Sequence, residues 1–189
     1  MGEELAGYFA ADRSPIICFE PQEVDWPFTP EDATLVHVAL SDADGWMTLQ
    51  VPERLHHDGW DTQMASGLSP IPAMWLRMGW APTPIDYMPV HMMRFDTWAR
   101  QVVFASGSCD LLVIDVQGME LQVLQGFGSY LDGFHTIIVE CAEEPCWFGQ
   151  SSTELVASFL STRGFKQATP TLACGDVRFE KEGENDTDV

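Results

Sequence analysis

The sequence predicts an α/β fold with a mostly parallel sheet, because an apolar strand, a helix and a second apolar strand follow one another near its centre. Residues 111–114 form a run of branched apolar side chains that ends at Asp115, as a strand buried on both faces would. A helical pattern follows, with Glu120 in its first turn, where the helix dipole favours negative charge. Residues 135–140 form the second strand, which ends at Glu140.

The carboxylates at the ends of these two strands indicate where a ligand would bind. Asp115 and Glu140 each occupy the carboxyl end of a predicted parallel strand. Open α/β sheets bind their ligands in the crevice outside these strand ends. We therefore expect the chemistry of the protein to lie along this edge of the sheet.

The N-terminal part of the chain predicts further elements of the same fold. Residues 1–11 have the pattern of a helix, and residues 16–19 that of a short strand ending at Glu20. An acid at the tip of such a strand can hold the two hydroxyls of a ribose, although a polar cap before a proline turn gives the same pattern. Residues 33–40 predict the next strand, and the turn at 42–45 predicts a hairpin-like excursion.

Residues 52–89 are the least regular stretch, rich in proline, tryptophan and methionine. A loop this long within a compact domain is functional or disordered, and the large apolar side chains argue against disorder. We interpret it as a lid or substrate-binding insertion, with a plain packing excursion as the alternative. A short strand at 90–94 and a helix that extends from Phe95 towards Phe104 follow it.

The C-terminal third predicts an amphipathic helix and a closing pair of strands. The helix covers residues 153–163 and can be capped by a serine at 151 or 152. Residues 165–168 and 176–181 then predict an antiparallel pair. The predicted buried stripe of the helix consists of Leu155, Val156, Phe159 and Leu160.

Composition narrows the class of protein. The chain has 189 residues, with 9 Lys and Arg against 29 Asp and Glu, for a formal charge of −20. Such a charge would repel a polyphosphate backbone, so nucleic acid is not expected as a partner. Five scattered cysteines fit no zinc pattern, and no apolar stretch suits a signal peptide or membrane span. We expect one domain over residues 1–181, an acidic tail at 182–189, a cytoplasmic location, and no membrane partner or metal.

Five motifs follow one another over roughly residues 16–179: FEP, VALSDADG, RFDTW, DLLVIDVQGMELQVLQG and IIVEC. In this order they resemble the FkbM family of S-adenosylmethionine-dependent methyltransferases. The resemblance implies a Rossmann-like class I methyltransferase fold, a three-layer sandwich with a mostly parallel sheet and a C-terminal antiparallel strand pair. It also implies S-adenosylmethionine as the cofactor. RFDTW replaces a TLD-type element of the family, and Val113 stands where a lysine is common.

The resemblance also implies which residues hold the methyl donor. Glu20 would bind the ribose hydroxyls, and Ser41 and Asp42 would lie beside the adenine. The family opens with a strand and a glycine loop that wraps the donor, and here Gly2 resembles the last glycine of that loop. The first strand of the sheet is therefore expected to be missing from this sequence.

On the acceptor side, the resemblance implies that Asp115 lies near the reacting groups, where it is our candidate for the catalytic base. Glu120 and Glu140 would line the acceptor. The predicted activity is O-methylation of a hydroxyl on a small molecule or sugar. The alternative is a catalytically inactive methyltransferase-like domain that serves as a binding or partner subunit. A nicotinamide-dependent oxidoreductase is disfavoured because the sequence contains no G-x-G-x-x-G motif.

Overall fold

The computed structural model describes residues 16–23, 33–52, 65–77, 85–105, 109–171 and 174–183. Within these stretches the strands are β1 Ile16–Phe19, β2 Ala33–Val36, β3 Ala39–Leu40, β4 Gly45–Pro52, β5 Ile85–Met93, β6 Leu111–Ile114, β7 Thr136–Ala142, β8 Phe165–Gln167 and β9 Cys174–Lys181. The helices are α1 Pro72–Arg77, α2 Phe95–Gln101, α3 Glu120–Phe127 and α4 Thr153–Ser161, with a 3₁₀ helix at Gly128–Gly133. The helix predicted at 1–11, the candidate Gly2 and most of the acidic tail lie outside the described residues.

The described strands form three sheets of mixed direction. β1 and β2 pair in parallel, and a second sheet has the order β3-β5-β4. The third has the order β6-β7-β9-β8, in which β6 and β7 are parallel and β9 runs antiparallel to both of its neighbours. The predicted strand-helix-strand unit and the closing antiparallel pair are therefore confirmed, with the last strand starting at Cys174.

The main core lies between the third sheet and the helices that cover it. Phe95 of α2 stacks on Phe127 of α3, with ring centroids 4.1 Å apart. Leu124, Ile137 and Val139 have no solvent exposure. Burial of each such side chain stabilises the fold by about 1.5 to 3 kcal/mol. This core fixes α3 against β6 and β7, and so places the loop that joins β6 to α3.

The prediction that the strand at 111–114 is buried on both faces was wrong. Ile114 is buried in the core and Leu112 packs against it, but Val113 is 41% exposed. Successive side chains of a strand point to opposite faces, and on the face that carries Val113 the neighbouring Leu111 is half-buried, so this face is only partly covered. Among the described strands, β6 pairs with β7 alone.

The strand predicted at 33–40 is divided in two. The amide of Val38 bonds the carbonyl of Val36 at 2.9 Å, and this tight turn separates β2 from β3. The predicted hairpin-like excursion is not a hairpin of β3 and β4, because β4 pairs antiparallel with β5, over Ile85–Met93, and β5 lies between them. The strand predicted at 90–94 therefore starts earlier, at Ile85, and includes Pro89. A proline is tolerated at this position because β3 pairs with β5 only at Met92 and Met93 and does not reach Pro89.

The predicted helix ends differ slightly in the structure. α2 ends at Gln101, before the predicted Phe104. Ser152 caps α4, because its hydroxyl oxygen accepts a hydrogen bond from the Leu155 amide at 3.4 Å. Leu155 itself is 56% exposed and does not belong to the buried stripe of α4, which contains Val156 and Leu160.

A glycine in α3 makes close approach to the turn after β3 possible. A Cβ atom at Gly126 would overlap the backbone carbonyl oxygen of Ser41. Gly126→Ala should therefore lower the free energy of unfolding by about 1 to 3 kcal/mol, although alanine normally favours a helix. Chemical denaturation measures this, with Gln125→Ala, exposed on the same helix, as the control. A Gly126→Ala protein as stable as the wild type would contradict the close packing.

Candidate functional site

The turn from β6 into α3 carries the central acid of the site. Gln117 has φ of 54° and Gly118 has φ of 105°, so both occupy the left-handed region that most residues avoid. Glu120 stabilises this turn, because its Oε1 accepts a hydrogen bond from the Gly118 amide at 2.8 Å. Asp115, at the start of the turn, follows directly after β6.

The structure brings Asp115 and Glu140 together as predicted, although β7 does not end at Glu140 but continues to Ala142. One nitrogen, Nε2 of Gln117, donates to Asp115 Oδ1 at 2.6 Å and to Glu140 Oε2 at 3.2 Å. We call Asp115 and Glu140 the acidic pair. The bridging role of Gln117 was missed at the sequence level, because nothing in the spacing shows which way an amide between two strand ends will point.

Burial and, after it, neighbouring like charges favour a proton on Glu140. Burial raises the pKa of Glu140 to about 8, and Asp115 adds to the rise through its charge and a hydrogen bond. Glu120 and Asp176 contribute as well. Asp176 lies opposite Glu140 in the β7–β9 register. It is a further member of the site that only the strand pairing reveals.

Glu120 occupies a different position from the rest of the acidic residues. Its side chain is 3% exposed, and burial raises its pKa. The carboxylate lies under the β6–α3 turn, with one oxygen bound to the Gly118 amide. Glu120 therefore has a clear structural role, and its contact with an acceptor stays a prediction.

The residues predicted to hold the donor follow β1 and β3. Glu20 is 8% exposed, and its Oε1 accepts a hydrogen bond from the Gln22 amide at 2.8 Å. Burial raises the pKa of Glu20, while nearby His37 opposes the rise. Ser41 is buried, and its hydroxyl donates to Asp42 Oδ1 at 3.2 Å. Asp42 is exposed.

The RFDTW segment braces the turn that contains Asp42. Arg94 forms two hydrogen bonds of 2.9 Å with the carboxylate of Asp96, whose pKa is lowered by this interaction. The same guanidinium donates to the carbonyl of Asp42 at 2.7 Å. The Arg94 amide bonds Asp44 Oδ1 at 2.8 Å. The segment therefore has a structural function beside the candidate donor site.

We call the turn between β6 and α3, residues 115–119, the acidic turn. Part of the irregular insertion, residues 65–77, lies against this turn and against the connector after β7. The amide of Ile71 bonds the carbonyl of Cys146 at 2.9 Å, and Trp75 meets Trp147 edge-on with centroids 5.3 Å apart. Trp147 also covers Gly118, where a Cβ would come within 2.9 Å of the indole. The insertion thus contains α1 and adjoins the predicted acceptor side.

The family comparison agrees with this arrangement of motifs. The family model described as "Methyltransferase FkbM domain" matches residues 7–167. The chain belongs to the FkbM methyltransferase family. No curated protein and no solved structure matches the chain.

Three further observations concern the part of this FkbM domain that the structure describes. Its His, Cys, Asp and Glu side chains form no group of three or more placed to hold a metal ion. No helix in it combines the length and apolar character needed to cross a membrane. The cysteines form no disulfide bond with one another; they are Cys18, Cys109, Cys141, Cys146 and Cys174.

The proton on Glu140 makes stability depend on pH. Its pKa is about 8 in the folded protein against 4.5 normally, so its contribution is complete below about pH 4.5 and is lost as pH rises through 8. As the pH is raised from 5 to 8, the free energy of unfolding of Glu140→Gln should fall less than that of the wild type, by about 1 to 3 kcal/mol. Denaturation at several pH values measures this difference. Glu182→Gln makes the same substitution at an exposed position and is the control, so its stability should depend on pH as that of the wild type does. The same pH dependence in all three proteins would contradict the prediction.

Proposed function

We propose that this FkbM-family protein is an S-adenosylmethionine-dependent methyltransferase acting on a hydroxyl group of a small molecule or carbohydrate. The observation that carries the proposal is the acidic pair, two carboxyl groups bridged by one amide. Asp115 follows β6 directly, and Glu140 lies in the parallel strand β7 just after Val139, the last residue that pairs with β6. A carboxylate in such a position can take the proton of a hydroxyl group as it reacts. Membership of the family supports methyl transfer as the reaction.

The residues on the donor side fit the proposed cofactor. A ribose presents two hydroxyl donors, and Glu20 offers a buried carboxylate acceptor at the end of a parallel strand. Ser41 and Asp42 offer polar groups at the end of β3. We infer that Glu20 holds the ribose and that Ser41 and Asp42 lie at the adenine. Gly2 remains a predicted contact outside the described residues.

A Rossmann-like sheet is part of the same proposal. Within the described chain, β1 pairs with β2 alone and β6 with β7 alone, and both pairs are parallel. Each of β1 and β6 is followed by an acid, Glu20 or Asp115. A further parallel strand between the two open edges would unite the sheets and place both acids at one edge, which is the arrangement expected for this fold.

S-adenosylmethionine supplies an electrophilic methyl group on a sulfonium sulfur. In the proposed reaction this methyl group would pass to the acceptor oxygen as its bond to sulfur breaks, and the electron pair of that bond would stay on sulfur. Asp115 takes the hydroxyl proton. Glu140, which retains its own proton up to about pH 8, hydrogen-bonds Asp115 and limits the repulsion between the two groups. Gln117 holds both carboxyl groups in place, so positioning supplies much of the rate enhancement.

A binding or partner subunit is the second candidate function. Trp46 and Tyr87 are 73% and 69% exposed. They lie on the same face of the β4–β5 pair, because Gln50 is opposite Tyr87 and Trp46 is opposite His91. Exposed aromatic side chains on one sheet face are typical of protein interfaces. Measurement of S-adenosylmethionine binding distinguishes the two functions. A cytoplasmic location stays a prediction for either function.

Donor binding tests the assignment of Glu20. Calorimetric titration with S-adenosylmethionine should give a micromolar dissociation constant, and Glu20→Gln should weaken binding about 10-fold or more because one carboxylate acceptor is lost. Glu23→Gln, an exposed neighbour, is the matched control and should bind like the wild type. Absence of binding by the wild type would exclude the enzymatic function and favour the binding subunit.

The role of Asp115 is tested by turnover. With isotopically labelled donor and a panel of hydroxyl-bearing small molecules and sugars, Asp115→Asn should reduce kcat about 100-fold or more, since the amide cannot accept the proton. Its affinity for the donor should stay within a few-fold of the wild type. Unchanged turnover with an accepted substrate would show that Asp115 is not the base.

A further inference from the structure

Ser66 connects the irregular insertion to the acidic turn. It is 1% exposed, and its hydroxyl donates to the carbonyl oxygen of Gln117 at 2.6 Å. The same hydroxyl oxygen accepts a hydrogen bond from the Leu68 amide at 2.9 Å. Both hydrogen-bonding functions of this side chain are therefore engaged, and its orientation is fixed.

The backbone of Ser66 is fixed as well. Its amide bonds the carbonyl of Gln50 at 3.1 Å, and its carbonyl accepts from the Gln50 amide at 2.7 Å. Ser66 is thereby attached to β4, a strand of a different sheet from β6. The hydroxyl is held on a rigid support and contacts a residue 51 positions away.

Gln117 is the residue whose geometry most needs such support. It is a non-glycine residue with φ of 54°, and its side-chain amide donates to both members of the acidic pair. Rotation of its peptide out of the left-handed region would redirect this amide. The Ser66 hydroxyl opposes that rotation because it binds the carbonyl of the same residue.

We propose that Ser66 is a positioning residue, which holds Gln117 in the conformation that keeps its amide between Asp115 and Glu140. The role rests on the proposed methyl transfer, for which the acidic pair must present a fixed proton acceptor. Ser66 touches neither carboxylate in the described contacts and acts through Gln117. It also makes the insertion part of the catalytic arrangement, because the insertion supplies the hydroxyl.

The titration of Glu140 reports on this arrangement without any need for turnover. The groups that face Glu140 are Asp115 at the end of β6, Glu120 of α3, and Cys174 and Asp176 of β9. Three of these groups are carboxyls and the fourth is the Cys174 thiol, a weak donor 3.9 Å from Glu140 Oε1, so the Gln117 amide at 3.2 Å is the stronger donor and separates the charges. Loss of the amide should raise the pKa of Glu140 above its value of about 8.

Carbon-13 NMR of carboxyl-labelled glutamate follows the Glu140 titration, with Glu140→Gln used to assign its signal. Ser66→Ala should raise this pKa by about half a unit or more, and Ser66→Thr, which keeps the hydroxyl, should restore it. Ser69→Ala is the matched control, because Ser69 lies in the same insertion and its hydroxyl accepts a hydrogen bond from the Gln50 side chain. Loss of that bond should leave the Glu140 titration unchanged. An unchanged Glu140 titration in Ser66→Ala would overturn the proposal.

A second variant keeps the test valid if Ser66→Ala folds poorly. Gln117→Gly suits the left-handed backbone and removes the amide, so it should reproduce the pKa rise. Adding Ser66→Ala to Gln117→Gly should then have no further effect on the titration, and an additive effect would contradict the proposed route. If the titrations behave as expected but no donor binds, the positioning role stands and the proposed function fails.

Discussion

The left-handed turn between β6 and α3 is the constraint on which the site and much of the core depend. Two successive residues, Gln117 and Gly118, have positive φ, a conformation that costs about 1 kcal/mol or more at a non-glycine position. Three contacts hold the turn: Ser66 at the Gln117 carbonyl, Glu120 at the Gly118 amide, and Trp147 against the Gly118 Cα. Because α3 begins at Glu120, the turn also sets where that helix packs.

Acidic groups gather in this region at a cost to stability. Burial raises the pKa of Glu120, Glu140 and Asp176, which means that the folded protein disfavours their charged forms. In a chain with a formal charge of −20, long-range repulsion adds to this effect. Packing alone would be served better by apolar side chains at these positions. Such perturbed groups are concentrated at functional sites, and the arrangement is consistent with selection for chemistry.

Local sequence patterns predicted the elements that depend on neighbouring residues. They did not predict the features that depend on which distant strands pair. The β6–α3–β7 unit, the serine cap of α4 and the closing strand pair were predicted because periodicity and capping are local. The division of 33–40, the partner of β4 and the exposure of Val113 depend on which strands pair, and the sequence does not contain that information in readable form. At the site, the meeting of Asp115 and Glu140 followed from strand direction. Gln117, Ser66 and Asp176 join them through an unusual backbone, a 51-residue contact and a strand register.

Arg94 links residues from separate motifs and so fixes their relative positions. Its guanidinium binds Asp96 at the start of α2, the carbonyl of Asp42 in the turn after β3, and the carbonyl of Gln125 in α3 at 3.4 Å. α2 and α3 are in turn joined by the stacked rings of Phe95 and Phe127. The predicted adenine-side residues are therefore tied to the same helix that follows the acidic turn. A shift of α3 would move both groups of residues together, so the RFDTW segment preserves the geometry between the two halves of the proposed site even though it contacts neither reacting group.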